Sequence, residues 1–127
     1  KRIIRNISRS KVEMLLAVLS HNLSLDFMQY DIYLNILPGH SLENNHQDLV
    51  VCASILSSLM KKLNDKFFHG EVRFSGEVVP HLSQFASRWD ELSKIDFHHV
   101  SNYPSSKSSK IEHTNINKID ELYSLFR

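Results

Sequence analysis

At 127 residues, with 42% hydrophobic and 23% charged residues, the sequence is long enough for one domain with its own core and too apolar to read as disordered. A single cysteine, Cys52, excludes an internal disulfide, and no apolar run approaches the roughly 20 residues that cross a bilayer. The net charge of +1 does not announce a nucleic-acid partner, but its distribution is uneven: Lys1, Arg2, Arg5, Arg9 and Lys11 all precede the first acid, Glu13.

The chain opens Lys1-Arg2-Ile3-Ile4-Arg5 with no Met and no signal-peptide pattern, so it reads as a cut inside a longer protein, and a reducing, cytoplasmic setting is expected. Residues 1–9 read as a basic linker or solvated tail, or alternatively as an arm that sits on phosphates. Ser10 to Leu23 has Val12, Leu15, Leu16 and Leu19 at helical spacing, with Ser10 as the expected cap. Asp31 to Leu37 alternates as a strand, with Ile32, Leu34 and Ile36 on one face and Tyr33 and Asn35 on the other, and Pro38-Gly39 ends it. Gly39 to Gln47 reads as polar loop.

Asp48 to Leu63 predicts the central helix. Leu49, Ala53, Leu56, Met60 and Leu63 form its stripe, Asp48 is the expected N-cap, and apolar residues on the other faces require burial on most sides. Phe68 to Val79 predicts a hairpin, in which Val72 and Phe74 alternate with Arg73 and Ser75-Gly76 turns the chain. Leu82 to Lys94 predicts a helix with Leu82, Phe85, Trp89 and Leu92 on one face. Short strands are expected at Phe97 to Val100 and Ile111 to Asn115, separated by a serine-rich loop from Ser101 to Lys110. A last helix, capped by Asn117, carries Ile119, Leu122, Tyr123 and Phe126. Alternating helices and strands predict an α/β (α+β) layered domain, and the hairpin predicts a mixed sheet.

Little in the residues points to catalysis or metal binding. Of eight histidines none forms a metal-ligand spacing, and His98 and His99, adjacent on a strand, point to opposite faces. Cys52 lies in the apolar helix and reads as a core thiol, although a nucleophilic role would need a nearby cation or helix N-terminus. Ser41 has no base at a meaningful spacing, and Phe85 and Trp89, which could stack on bases, fall on a core stripe. For DNA contact the candidates are Lys1, Arg2, Arg5, Arg9 and Lys11, with Lys61, Lys62 and Lys66 after the central helix and Arg73 and Arg88 without rank. For the three lysines, complementing the dipole at the end of the helix is a sufficient explanation without DNA.

Ordered segments of the chain resemble the C-terminal domain of the RadA/Sms-type bacterial DNA-repair proteins. Glu13-Met14-Leu15-Leu16-Ala17-Val18-Leu19 followed by Asp31-Ile32-Tyr33-Leu34-Asn35-Ile36 resembles its opening helix and strand, and Asp48 to Leu59 resembles its apolar helix. Gly70-Glu71-Val72-Arg73-Phe74-Ser75-Gly76-Glu77-Val78 followed by Pro80 resembles its hairpin, and Ile111 through Asn117 to Phe126 resembles its close. The resemblance covers Ser10 to Arg127 and implies residues 10–127 as a Lon-protease-like domain with a fold of the ribosomal protein S5 domain 2 type, a mixed sheet packed by helices.

The likeness to Lon implies a test. Its serine nucleophile would fall at His46 or Gln47, and its lysine within Ser83-Gln84-Phe85-Ala86-Ser87-Arg88. Neither half of the dyad is there, and the guanidinium of Arg88 cannot accept the serine proton, so no catalytic residue is expected. A divergent Lon-type serine peptidase is the alternative, and a Lon-like module of another ATP-driven machine a third. The family further implies a RecA-like ATPase and a zinc finger that power branch migration. No Walker A loop and no Cys-x-x-Cys pair occurs here, so ATP, Mg and Zn are expected only in a part of the protein outside this chain. The implied partners are DNA, single-stranded or branched, and further copies of the chain in a ring, a hexamer, with no membrane contact.

Overall fold

The computed structural model describes residues 1–35, 47–62, 66–68, 70–79, 99–102 and 113–127. The chain begins with a strand, β1 (Arg2–Arg5), followed by helix α1 (Arg9–Leu23) and strand β2 (Ile32–Asn35). β1 and β2 pair in parallel, from Arg2 opposite Ile32 to Arg5 opposite Asn35. Residues expected as a linker or tail therefore contain a strand, and α1 is the crossover between two parallel partners. The cap of α1 is Ser8, not Ser10: Ser8 Oγ accepts the Lys11 N–H and lies 2.8 Å from Ser10 Oγ. Val12, Leu15, Leu16, Val18 and Leu19 are buried on its inner face. In β2 the alternation holds over the described residues, with Ile32 and Leu34 half-buried and Tyr33 and Asn35 exposed.

Helix α2 (Asp48–Met60) is the central helix. Leu49, Val51, Cys52, Ala53, Ile55 and Leu56 are buried, and Val50, Ser54 and Ser58 form the exposed face. It ends earlier than expected, at Met60, where Lys61 takes up the left-handed conformation (φ 53°, ψ 42°) and its N–H closes on the carbonyls of Ser57 and Ser58. The cap position is Gln47. Asp48 is the first helical residue and is turned inward, 3% exposed, because partners inside the fold take its carboxylate.

The expected hairpin is shorter. β3 (Phe67–Phe68) lies outside it and pairs in parallel with β6 (His99–Ser101), which pairs in parallel with β7 (His113–Asn115). β4 (Glu71–Val72) and β5 (Val78–Val79) form the antiparallel pair. Pairing stops at Val72, so Phe74 does not continue the alternation; it sits in the turn and is 73% exposed. The turn closes through Gly76 N–H to the Arg73 carbonyl and Arg73 N–H to the Glu77 carbonyl, with Gly76 at φ 86°. Among the described residues, strand pairing is thus divided among three small sheets rather than one mixed sheet.

Helix α3 (Ile119–Ser124) is capped at Lys118, whose side chain makes no capping bond, and not by Asn117. The Asn117 N–H donates to the Glu121 carboxylate instead. Ile119, Leu122 and Phe126 pack with Leu15, Leu19, Leu49 and Leu56 in one core, and Phe126 stacks on Phe68 at 6.0 Å. The expected helix from Leu82 to Lys94, with Phe85, Arg88 and Trp89, lies outside the described residues, as does most of the serine-rich loop. Ser101, expected in that loop, is a buried residue of β6.

Candidate nucleic-acid interface

A lysine stands at each end of helix α2, Lys11 of α1 at its start and Lys61 at its C-cap, and the two ends are used differently. At its start, Lys11 of α1 reaches across so that its ammonium lies 3.1 Å from Asp48 Oδ1. The Val72 N–H of β4 donates to Asp48 Oδ2 at 3.1 Å. One carboxylate therefore joins α1, α2 and the hairpin. Burial pushes the Asp48 carboxyl above its ordinary value; the Val72 N–H and the Lys11 ammonium pull it back only in part, and the Glu71 charge adds to the rise. Lys11, a candidate for phosphate contact by sequence, is held inside this joint.

At the other end the left-handed cap turns the chain out of the helix, and Lys61, Lys62 and Lys66 come to line one cleft of about 600 Å³. Phe68 and Phe126 also line it, as do Ser54, Ser57 and Ser58. The Ser54 hydroxyl donates to the Val50 carbonyl and the Ser57 hydroxyl to the Lys62 carbonyl, so both protons are committed to the main chain. Lys61 and Lys62 are exposed and Lys66 is half-buried. The Lys62 ammonium donates to the Arg127 carbonyl, and the Arg127 guanidinium lies 5.2 Å over the Tyr123 ring. This corner thus gathers three lysines, and Arg127, which sequence reasoning did not single out, adjoins it through its carbonyl.

The other basic candidates are scattered. Arg2 donates from one guanidinium nitrogen to the Tyr30 carbonyl at 2.6 Å and from the other to the Phe27 carbonyl at 2.7 Å, which ties β1 to the turn before β2. Lys1, Arg5, Arg9 and Arg73 are exposed. Arg88 lies outside the described residues. A second groove, of about 490 Å³, is lined by Tyr30, Tyr33 and Lys61 among others. Neither tyrosine was singled out by sequence, although the β2 alternation already placed Tyr33 on the outward face.

Cys52 is fully buried, and burial, with the Asp48 charge, pushes its thiol far above the ordinary range, so it behaves as a core side chain. Of the two positions where a Lon-like nucleophile would stand, Gln47 is an amide whose Oε1 is buried without a partner among the described residues. His46 and Ser83 to Arg88 lie outside them. Among the described residues, no three His, Cys, Asp or Glu side chains are grouped to hold a metal ion, and no helix is long and apolar enough to cross a membrane.

No family model matches the chain. Curated relatives do. The chain is 31% identical over 118 residues to the DNA repair protein RadA of Rickettsia bellii, an alignment covering 91% of this chain and 25% of that protein. It is 31% identical over 101 residues to the DNA repair protein RadA of Helicobacter pylori, covering 76% of this chain and 22% of the relative. To that of Campylobacter jejuni it is 32% identical over 80 residues, covering 61% of this chain and 18% of the relative. The chain thus spans about a quarter or less of the length of these relatives. With this similarity running along nearly its whole length, the chain belongs to the family of the DNA repair protein RadA.

Proposed function

We propose that this chain is the C-terminal, Lon-like part of a RadA-type repair protein, that it performs no catalysis itself, and that it contacts DNA while scaffolding a ring of copies, a hexamer. The observation that carries the DNA contact is the convergence of Lys61, Lys62 and Lys66 on one cleft. Three lysines on one cleft offer a phosphate backbone more cations together than the single exposed ones elsewhere among the described residues. In this reading the cytoplasmic full-length protein is a RecA-like ATPase, with ATP, Mg and Zn held outside this chain. The modest net charge fits a unit that acts in several copies, because a ring repeats each weak contact around a channel. Support for the repair role comes from the names of the relatives.

The test is binding of a labelled single-stranded oligonucleotide across a salt series, comparing the chain with a Lys61→Gln/Lys62→Gln/Lys66→Gln variant. The slope of log affinity against log salt should become shallower by roughly 2, about 0.7 for each lost phosphate contact. An unchanged slope would remove the cleft from this reading. No binding by the unaltered chain at low salt would leave only the scaffold, which sedimentation against concentration then tests.

A further inference from the structure

The lysine cleft and the tyrosine groove are not separate. Ser54, Ser58 and Lys61 line both, so the two depressions meet across the exposed face of α2. Small side chains at the meeting point keep the crossing low, and the Ser54 hydroxyl is turned down onto the Val50 carbonyl. Beyond the crossing the lining mixes aliphatic side chains, among them Ile32, Leu34 and Leu59, with two exposed tyrosines. Tyr33 is 62% exposed on the outward face of β2, and Tyr30 is 45% exposed on the turn before it.

Both rings are set on a fixed backbone. Tyr33 lies opposite Ile3 in the β1–β2 register. Tyr30 is held by its N–H to the Phe27 carbonyl at 3.2 Å and by the Arg2 guanidinium, which binds the carbonyls of Phe27 and Tyr30. The charges are sorted along the path. Lys62 and Lys66 lie on one side, Lys61 at the crossing, and the carboxylate of Asp31 on the tyrosine side. A phosphate is attracted to the first side; on the second, the Asp31 carboxylate is already paired with the terminal ammonium of Lys1 at 3.0 Å and offers it nothing. A neutral ring with an open π face suits the tyrosines.

We infer that the two grooves form one site for single-stranded nucleic acid, with phosphates along Lys61, Lys62 and Lys66 and bases stacked on Tyr33 and Tyr30. The inference rests on the DNA-contact reading above and adds to it the two side chains that would stack the bases. A duplex presents its charges to the lysines but hides its base faces, so it gains nothing from the tyrosines.

The experiment compares a labelled oligothymidylate with a duplex of equal length, using the full chain, Tyr33→Ala, Tyr33→Phe and the triple lysine variant. Thermal melting checks that each is folded. Tyr33→Ala should weaken the single strand by about fivefold or more, leave the duplex unchanged, and leave the salt slope intact because no phosphate contact is lost. Tyr33→Phe should restore binding, since the ring and not the hydroxyl stacks. A lysine variant that loses slope beside a neutral Tyr33→Ala overturns the stacking inference and leaves the DNA reading standing. A lysine variant with unchanged slope brings down both. Equal losses on single strand and duplex, or an effect of Tyr33→Ala on sedimentation and not on the oligonucleotide, also overturn the inference, the latter by making the groove a surface between copies.

Discussion

The two ends of α2 show how differently one residue type is used a few turns apart. At the start, the Lys11 ammonium and the Asp48 carboxylate are enclosed by α1, α2 and the hairpin, with the Asp48 side chain 4% exposed and that of Lys11 23%. At the finish, Lys61 and Lys62 are exposed around an open cleft. The first pair is a joint of the fold. The second group stands at the surface, with the Lys62 ammonium on the Arg127 carbonyl. Charge counted along the sequence does not separate the two; the depth of the carboxylate beside the lysine does.

The comparison breaks most sharply at Asp48. Asp48→Ala leaves Lys11 without its acid and the Val72 N–H without its acceptor, and should cost about 3 kcal/mol, the lower end for a broken buried pair because Lys11 keeps some solvent. Lys11→Met should cost less, about 2 kcal/mol, because Asp48 keeps the Val72 bond and escapes by protonation. The pH dependence has a definite sign. The folded-state Asp48 carboxyl lies above its ordinary value of 3.8, so between the two values the folded chain holds more protons than the unfolded one. Its contribution to stability therefore falls as pH rises through that window and is flat above it. Lys11→Met removes the lysine's lowering influence, pushes Asp48 higher and extends the falling limb, whereas Asp48→Asn removes it. Urea unfolding from about pH 4 to pH 7 measures both slopes. A Lys11→Met variant as stable as the original, with the same slope, would show that this end of α2 is no joint.

The basic N-terminal segment repeats the contrast on a smaller scale. Arg2→Gln loses two bonds to carbonyls that fix the turn before β2, and should cost about 1 to 2 kcal/mol. Arg5→Gln and Arg9→Gln, at exposed positions, should each stay within about 0.5 kcal/mol. Oligonucleotide binding reads the opposite order if the exposed pair touches phosphate. Deleting residues 1–11 is a poor probe of the same question, because it also removes β1 and the Lys11 partner of Asp48. Equal stability losses at Arg2 and Arg5 would erase the distinction.

What the sequence made legible was local and periodic. The α1 stripe from Val12 to Leu19, the outward Tyr33 of β2, the apolar bulk of α2 and the buried Ile119, Leu122 and Phe126 follow from spacing alone. The misreadings arose where a distant partner decides. Arg-Ile-Ile-Arg reads as charge, yet it is a strand because β2 lies parallel beside it some thirty residues on. Phe67 and Phe68 precede the hairpin in sequence but pair with β6. Asp48 has the residue type of a cap, and becomes a buried acid because Lys11 and Val72 converge on it. The candidate site was half legible. Its lysines cluster in sequence, but Tyr30 and Arg127 join the site only through turns and packing that no spacing announces.

The smallest expected effect separates fold from binding at a single residue. Lys61 holds a left-handed backbone that favours glycine, and it holds it at the point where α2 must stop. Lys61→Gly relieves that strain while giving the unfolded chain more freedom, so the two partly cancel and stability should rise by only about 0.5 kcal/mol. The same change removes the cation at the crossing of the two grooves, so the salt slope of oligonucleotide binding should become shallower by about 0.7. Lys61→Gln should reproduce the slope without the gain in stability. If Lys61 serves only to end the helix, glycine improves the chain and leaves binding untouched. A variant that is more stable and binds less tightly shows that a ligand, and not the fold, accounts for lysine at this cap.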